Sequence, residues 1–182
     1  MARTEAFPGF PEPAERRQSH MAALAHAIIF QQLAGAAARA IHGRVVALTP
    51  GPRFPDPHEL GQLDDERLRG AGLSANKLRC LRDLSERVLD GRLRLHGIGR
   101  RDDAAIIEHL VQVRGIGVWT AQMFLMFRLG RLDVLPAGDL EGLRRLDGLA
   151  TRPTPAELSA RAEVWAPLRS VASWTLWRLS SG

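Results

Sequence analysis

At 182 residues and 45% hydrophobic content, the chain is long enough to bury a substantial core as one domain or two closely packed lobes, and no apolar run in it reaches the length that spans a bilayer. Its one cysteine, Cys80, excludes both a disulfide framework and a four-cysteine zinc or iron–sulfur site within the chain. The formal charge of +5 rests almost wholly on arginine, with Lys77 the only lysine; arginine suits bidentate phosphate contacts, although a genome rich in G and C produces the same bias.

The opening residues, Met1 to Pro13, carry prolines and two phenylalanines and no signal-peptide core, which predicts a non-helical leader on a soluble, cytoplasmic protein. From about Glu15 to Leu48 the pattern is helical and alanine-rich, with Met21, Leu24, Ile28 and Ile29 on one stripe. Gln31 and Gln32 interrupt that stripe. Such an amide pair either satisfies backbone groups, faces solvent or reaches a ligand. Pro50, Pro52, Pro55 and Pro57 make a linker, and Asp56 to Gly70 reads as one helix. After a turn at Gly72-Leu73-Ser74, Ala75 to Leu89 is predicted helical with Leu78, Leu81, Leu84 and Val88 inward.

The tripeptide Gly-Ile-Gly occurs twice. At Gly97-Ile98-Gly99 it is followed by Arg100, Arg101, Asp102 and Asp103, polar residues that lead into a helix cap, so it reads as a plain loop. At Gly115-Ile116-Gly117 it lies between two helical patterns and forms a hairpin over residues 103–129. The first helix starts acidic at Asp102-Asp103. The second, Trp119 to Leu129, is apolar except at Thr120, Gln122 and Arg128, and should be buried on nearly every side up to its end at Gly130. The opening amides of such a helix lack intrahelical acceptors, and flanking glycines let an anion oxygen approach them. Gly115 and Gly117 therefore either only turn the chain between core helices or expose an anion site.

Beyond the hairpin, Pro136 and Gly138 make a stiff turn before Asp139, which opens a helix carrying Leu140, Leu143 and Leu146. Asp139 can act as an N-cap or as a functional carboxylate. Thr154-Pro155-Ala156-Glu157 is a capping box with proline at the first helical position. Trp165, Trp174 and Trp177 read as core aromatics of a closing helix. No segment reads as a strand, so the fold class expected is all-α.

Five pieces occur in a fixed order: Ile28-Ile29-Phe30-Gln31-Gln32; Leu68 to Ser74 with Lys77; the hairpin Val113 to Ala121; Asp133-Val134-Leu135-Pro136 with Asp139; and Trp165 to Ser170 with Trp174 and Trp177. In that order the chain resembles the helix-hairpin-helix DNA glycosylases, within them the 3-methyladenine DNA glycosylase II (AlkA-type) branch, over roughly residues 18–178.

The resemblance implies one two-lobed helical glycosylase domain over residues 1–182, with one lobe of roughly 50–135, the other formed by the two terminal segments, and the active site in the cleft between them. It implies a partner, double-stranded DNA containing a damaged base, bound by a monomer that requires no cofactor. Gly115, Gly117, Val118 and Thr120 would grip the DNA backbone, and Gln32 would fill the gap left by a flipped base. Trp119, Met123 and Phe30 would line the base pocket. The backbone carbonyls of Val111, Val113 and Ile116 would hold a Na+ or K+ ion. Asp139 would be the catalytic aspartate, with Asp133 the competing carboxylate and expected to be structural.

Breaking an N-glycosidic bond builds positive charge on the deoxyribose, which a carboxylate beneath the sugar stabilises. Relatives that also cut the strand hold a nucleophilic lysine where this chain has Trp119, so a monofunctional enzyme is expected. An indole face there suits a cationic alkylated purine, while the plain alternative for Trp119 is core packing. Departures from the family pattern are the 30 residues preceding Gln31, too few for the N-terminal sheet domain of some AlkA-type enzymes, the absence of tyrosine, and Glu141 after the aspartate. Two other functions stay open: a glycosylase for hypoxanthine, uracil or an oxidised purine, and a non-catalytic DNA-binding module.

Overall fold

The computed structural model describes residue 10 and residues 18–138 and 154–180, and among them the chain is helical with no strand. The leader apart from Phe10, and the helix expected to open at Asp139, lie outside the described residues. The chain divides into two compact units, residues 17–121 and residues 1–16 with 122–182. The first two helices fall in the same unit as residues 50–121.

In the unit of residues 17–121, α1 (His20–Phe30) starts where Ser19 Oγ accepts from the Ala22 amide at 3.1 Å. It buries Met21, Leu24, Ile28 and Ile29, the stripe read from the sequence. The expected single segment to Leu48 is in fact two helices. Gln31 leaves helical geometry and Gln32 has φ 56°, so α2 (Gly35–Val46) begins anew after the glutamines. Helix α1 packs against α2 and against the later helix Ala75–Leu89.

The single helix expected over Asp56 to Gly70 is likewise two, α3 (Pro57–Gln62) and α4 (Asp65–Gly70). Asp56 and Glu59 form a capping box for α3. Leu63 then turns extended to bury its side chain, and Asp64 caps α4 by accepting from the Arg67 amide at 2.7 Å. A second capping acid inside an apolar-periodic stretch restarts a helix, which the periodicity alone did not reveal. Helix α5 (Ala75–Leu89) has the predicted bounds, with Ser74 as its cap and Leu78, Leu81 and Leu84 buried. Gly97-Ile98-Gly99 is more than a loop: Ile98–Arg100 forms a 3-10 turn and Ile98 is completely buried. Helix α6 (Asp103–Leu110) is capped by Asp102, as its acidic start predicted.

Helix α7 (Val118–Met123) carries the chain out of this unit. The helix expected as far as Leu129 continues as a π-helical turn, Phe124–Arg128, in which the Leu129 amide donates to Phe124 O at 3.1 Å, and Gly130 follows in a left-handed conformation. Its middle is buried as expected, through Phe124, Leu125 and Met126; its start is not, since Val118 is 54% exposed and Trp119 45%.

In the other unit, α8 (Pro155–Arg161) begins at the predicted capping box of Thr154 and Glu157, passes into a 3-10 turn, Ala162–Trp165, and α9 (Arg169–Ser180) follows. Trp165, Trp174 and Trp177 are only half-buried, against expectation. The fully buried polar positions of α9 are the small Ser170 and Ser173, which let that helix come close to its neighbours, while Trp177 stacks on Phe127 with ring centroids 6.3 Å apart. Phe10 meets the same Phe127 edge-on at 4.6 Å.

Candidate nucleic-acid interface

The hairpin turn between α6 and α7 is closed by its own backbone. The Val113 amide donates to Leu110 O at 3.1 Å, that of Ile116 to Val113 O at 3.0 Å, and that of Ala121 to Gly117 O at 3.0 Å. The buried side chains of Val113 and Ile116 anchor the turn from below. Its two glycines answer different demands. Gly115 has φ +81°, and a Cβ there would lie 2.5 Å from Cys80 Sγ, so the fold itself requires glycine. At Gly117 φ is not positive and a Cβ would meet nothing within 4 Å. Packing leaves room for a side chain at Gly117, and the bare backbone there stands open beside the exposed Val118 and Trp119. The amides of the first turn of α7 precede any intrahelical acceptor, so this end of the hairpin is where backbone N–H donors stand.

Three side chains fasten the turn. Gln31 Nε2 donates to Gly115 O at 2.9 Å and to Thr120 Oγ1 at 3.3 Å. On α5, Asp83 Oδ2 accepts from the Arg114 amide at 2.7 Å while both its oxygens accept from Arg87 Nε at 2.9 Å. Cys80, one helical turn earlier, packs on Gly115, and burial pushes its thiol above the usual range. Lys77, one turn earlier again, donates through Nζ to Ile29 O and, at 2.9 Å, to Gln31 O, so it closes the C-terminal end of α1. Burial lowers its pKa.

Trp119 is 45% exposed and so is not packed in the core. Gln32 is exposed on a left-handed turn. The Thr120 side chain is 6% exposed and its hydroxyl oxygen accepts from Gln31. Phe30 is half-buried and stacks on His26 at 3.8 Å, in a cluster that includes His42 and Phe54. Burial lowers the pKa of both histidines, and the charge of His42 lowers that of His26 further. The carbonyls of Val111, Val113 and Ile116 flank the turn; that of Val113 already accepts from Ile116 and keeps a second lone pair.

In the unit of residues 122–182, Met123 is half-buried. Asp133 takes a bidentate pair from Arg169, Oδ1 to Nε and Oδ2 to Nη2, each at 2.7 Å, and this guanidinium holds its carboxyl below the usual range. The structural role expected for Asp133 matches this geometry. Ser170 Oγ donates to Arg131 O at 2.7 Å and accepts from the Val134 amide at 2.9 Å, and Gln122 Nε2 donates to Leu135 O at 3.1 Å. The run 131–135 is thus tied down along its length. Asp139 lies outside the described residues.

Sequence reasoning missed Asp83 and Cys80 as fasteners, because an Asp-Arg pair four apart on a helix reads as a surface ion pair. Gln31 was half visible, as one of two amides that had to be satisfied.

A family profile described as HhH-GPD superfamily base excision DNA repair protein matches residues 25–167. The chain is 37% identical to DNA-3-methyladenine glycosylase 1 of Schizosaccharomyces pombe, over 86% of this chain and 71% of that one. Among solved structures, it is similar to the S. pombe 3-methyladenine DNA glycosylase in complex with abasic DNA, with a TM-score of 0.81 and 34% identity over 92% of this chain and 84% of that one. A DNA-3-methyladenine glycosidase from Bacillus halodurans gives 0.80 and 38%, over 89% and 76%.

Proposed function

The chain belongs to the HhH-GPD superfamily of base excision DNA repair proteins, and from that premise we propose that it hydrolyses the N-glycosidic bond of alkylated purines, such as 3-methyladenine and 7-methylguanine, in duplex DNA. The observation that carries this reading is the open end of the hairpin, where Gly117 stands bare beside an exposed Trp119. Backbone donors at the start of a helix suit a DNA phosphate. An indole face suits a purine that carries formal positive charge, with a cation–π contact worth about 0.5–2 kcal/mol. The three relatives described above are named for 3-methyladenine, which supports the same substrate class.

In this proposal the flipped nucleotide leaves a gap that Gln32 fills, and Asp139 lies beneath the sugar. As the bond from C1′ to the base lengthens, the bonding pair moves onto the purine, which departs neutral because it began as a cation. Positive charge accumulates on the sugar and the carboxylate of Asp139 stabilises it. A water that Asp139 orients adds to C1′ and gives up a proton, leaving an abasic site. No amine stands where strand-cutting relatives carry a lysine, and the chain's only lysine, Lys77, holds the carbonyls of Ile29 and Gln31. We therefore assign it no lyase step. Oxygen ligands suit a hard monovalent cation, and the carbonyls of Val111, Val113 and Ile116 are the groups that would hold one and add positive charge beside the phosphate.

The test is Asp139→Asn. Binding to a duplex containing an abasic site persists, while base release falls by about two to three orders of magnitude, the range for losing a stabiliser of transition-state charge. Unchanged turnover would place the catalytic carboxylate elsewhere.

A further inference from the structure

Gln31 links three elements at one residue. Its Nε2 donates to Gly115 O and Thr120 Oγ1 on the hairpin, and its carbonyl accepts from Lys77 Nζ on α5. The next residue, Gln32, adopts φ 56°. A non-glycine residue in that region is disfavoured and persists only where its surroundings hold it. Here they do so from both sides. Lys77 fixes the carbonyls of Ile29 and Gln31 just before the turn, and the Gln31 side chain ties the same point to the hairpin.

The chemistry at position 31 needs a carboxamide. One nitrogen carries two hydrogens, one for a carbonyl and one for a hydroxyl, and it is neutral. Glutamate would set an oxygen against Gly115 O, and an apolar residue would leave Thr120, only 6% exposed, without this partner.

We infer that Gln31 is a positioning residue that locks the Gln32 turn to the glycine turn of the hairpin, so that the side chain entering the duplex and the backbone gripping the phosphate keep one separation before DNA arrives. This inference rests on the reading of the protein as a DNA glycosylase. Its physical gain is preorganisation: neither turn has to be ordered when the lesion is engaged, so the interaction energy is not spent on ordering them.

The test is a double-mutant cycle between Gln31→Glu and Gln32→Ala, read as affinity for a duplex containing an abasic site and as release of 3-methyladenine, with the melting temperature of each variant measured alongside. Each single change is expected to weaken binding about tenfold, and the double variant to be no more than about twofold worse than either, because Gln32 contributes only while it is locked. A Gln31 that supported binding by a route independent of Gln32 would leave the contribution of Gln32 intact, and the losses would multiply to about a hundredfold. That result, or wild-type affinity in Gln31→Glu, overturns the inference. If Gln31→Glu does not fold, Thr120→Val removes one of the two acceptors without touching α1, and the same non-additivity with Gln32→Ala is expected; multiplication there counts against the proposal equally. Should the unaltered protein neither bind the abasic duplex nor release base, the functional reading itself falls and takes the inference with it. Normal binding and release with multiplying losses sink the inference alone.

Discussion

Gly97-Ile98-Gly99 and Gly115-Ile116-Gly117 share three letters and much of their local structure. In both, the first glycine is left-handed, at 68° and 81°, and the isoleucine is buried. They part in what surrounds them. The first turn runs through Arg100 and an extended Arg101 before Asp102 caps α6, and a Cβ on Gly97 would meet nothing within 4 Å. The second passes directly into α7, packs on Cys80 and is fastened by Gln31 and Asp83. A tripeptide sets the backbone path of its turn; whether the turn is fastened in place depends on neighbours far away in the chain.

The largest expected difference between the turns comes from alanine at the first glycine. Gly115→Ala meets both the left-handed penalty and the Cys80 sulfur, for a combined loss of roughly 2–4 kcal/mol in denaturant unfolding, together with loss of DNA binding. Gly97→Ala meets only the backbone penalty, about 1 kcal/mol, and keeps DNA affinity. Equal losses at the two sites would remove the distinction drawn between them.

The next contrast lies in how each turn is fastened. Asp83 accepts the Arg114 amide beside the second turn, and His109 Nε2 accepts the Arg94 amide at 3.1 Å on the approach to the first. Asp83→Ala should cost about 1–2 kcal/mol by leaving the Arg114 N–H and the Arg87 guanidinium unpaired, and should weaken binding to abasic DNA. His109→Ala should leave that binding unchanged, which a titration of both variants checks.

The smallest effect is one of pH. Burial first, and then Arg101 and Arg94, push the His109 pKa below its usual 6.5. The neutral ring is the form that accepts the Arg94 amide, so the stabilisation is whole above the unfolded-state pKa and is lost as pH falls from there through the lowered folded value. Unfolding measured between about pH 7 and pH 5 should show this decline, and His109→Gln, whose side-chain oxygen still accepts, should flatten the part that His109 supplies.

The same contrast explains how much the sequence revealed. Helix α5 was legible end to end because Ser74 caps it and its leucines recur at helical spacing. The hairpin was legible because a glycine pair between two apolar patterns has few other uses. The break at Leu63 was not, since a buried leucine fits the helical period and only the backbone shows it extended. Asp83 was not either: its partner amide is 31 residues away, and no local pattern connects the two. The exposure of Trp119 was only half legible: the apolar run reads as buried, and the resemblance alone set its indole toward a base.

The measurement that bears most directly on the account is incubation of the protein with randomly methylated duplex DNA, followed by identification of the free bases and of the strand. The account predicts free 3-methyladenine and 7-methylguanine, with strands that break only when the abasic sites are treated with alkali. Release of uncharged bases alone, or nicking without alkali, would contradict it.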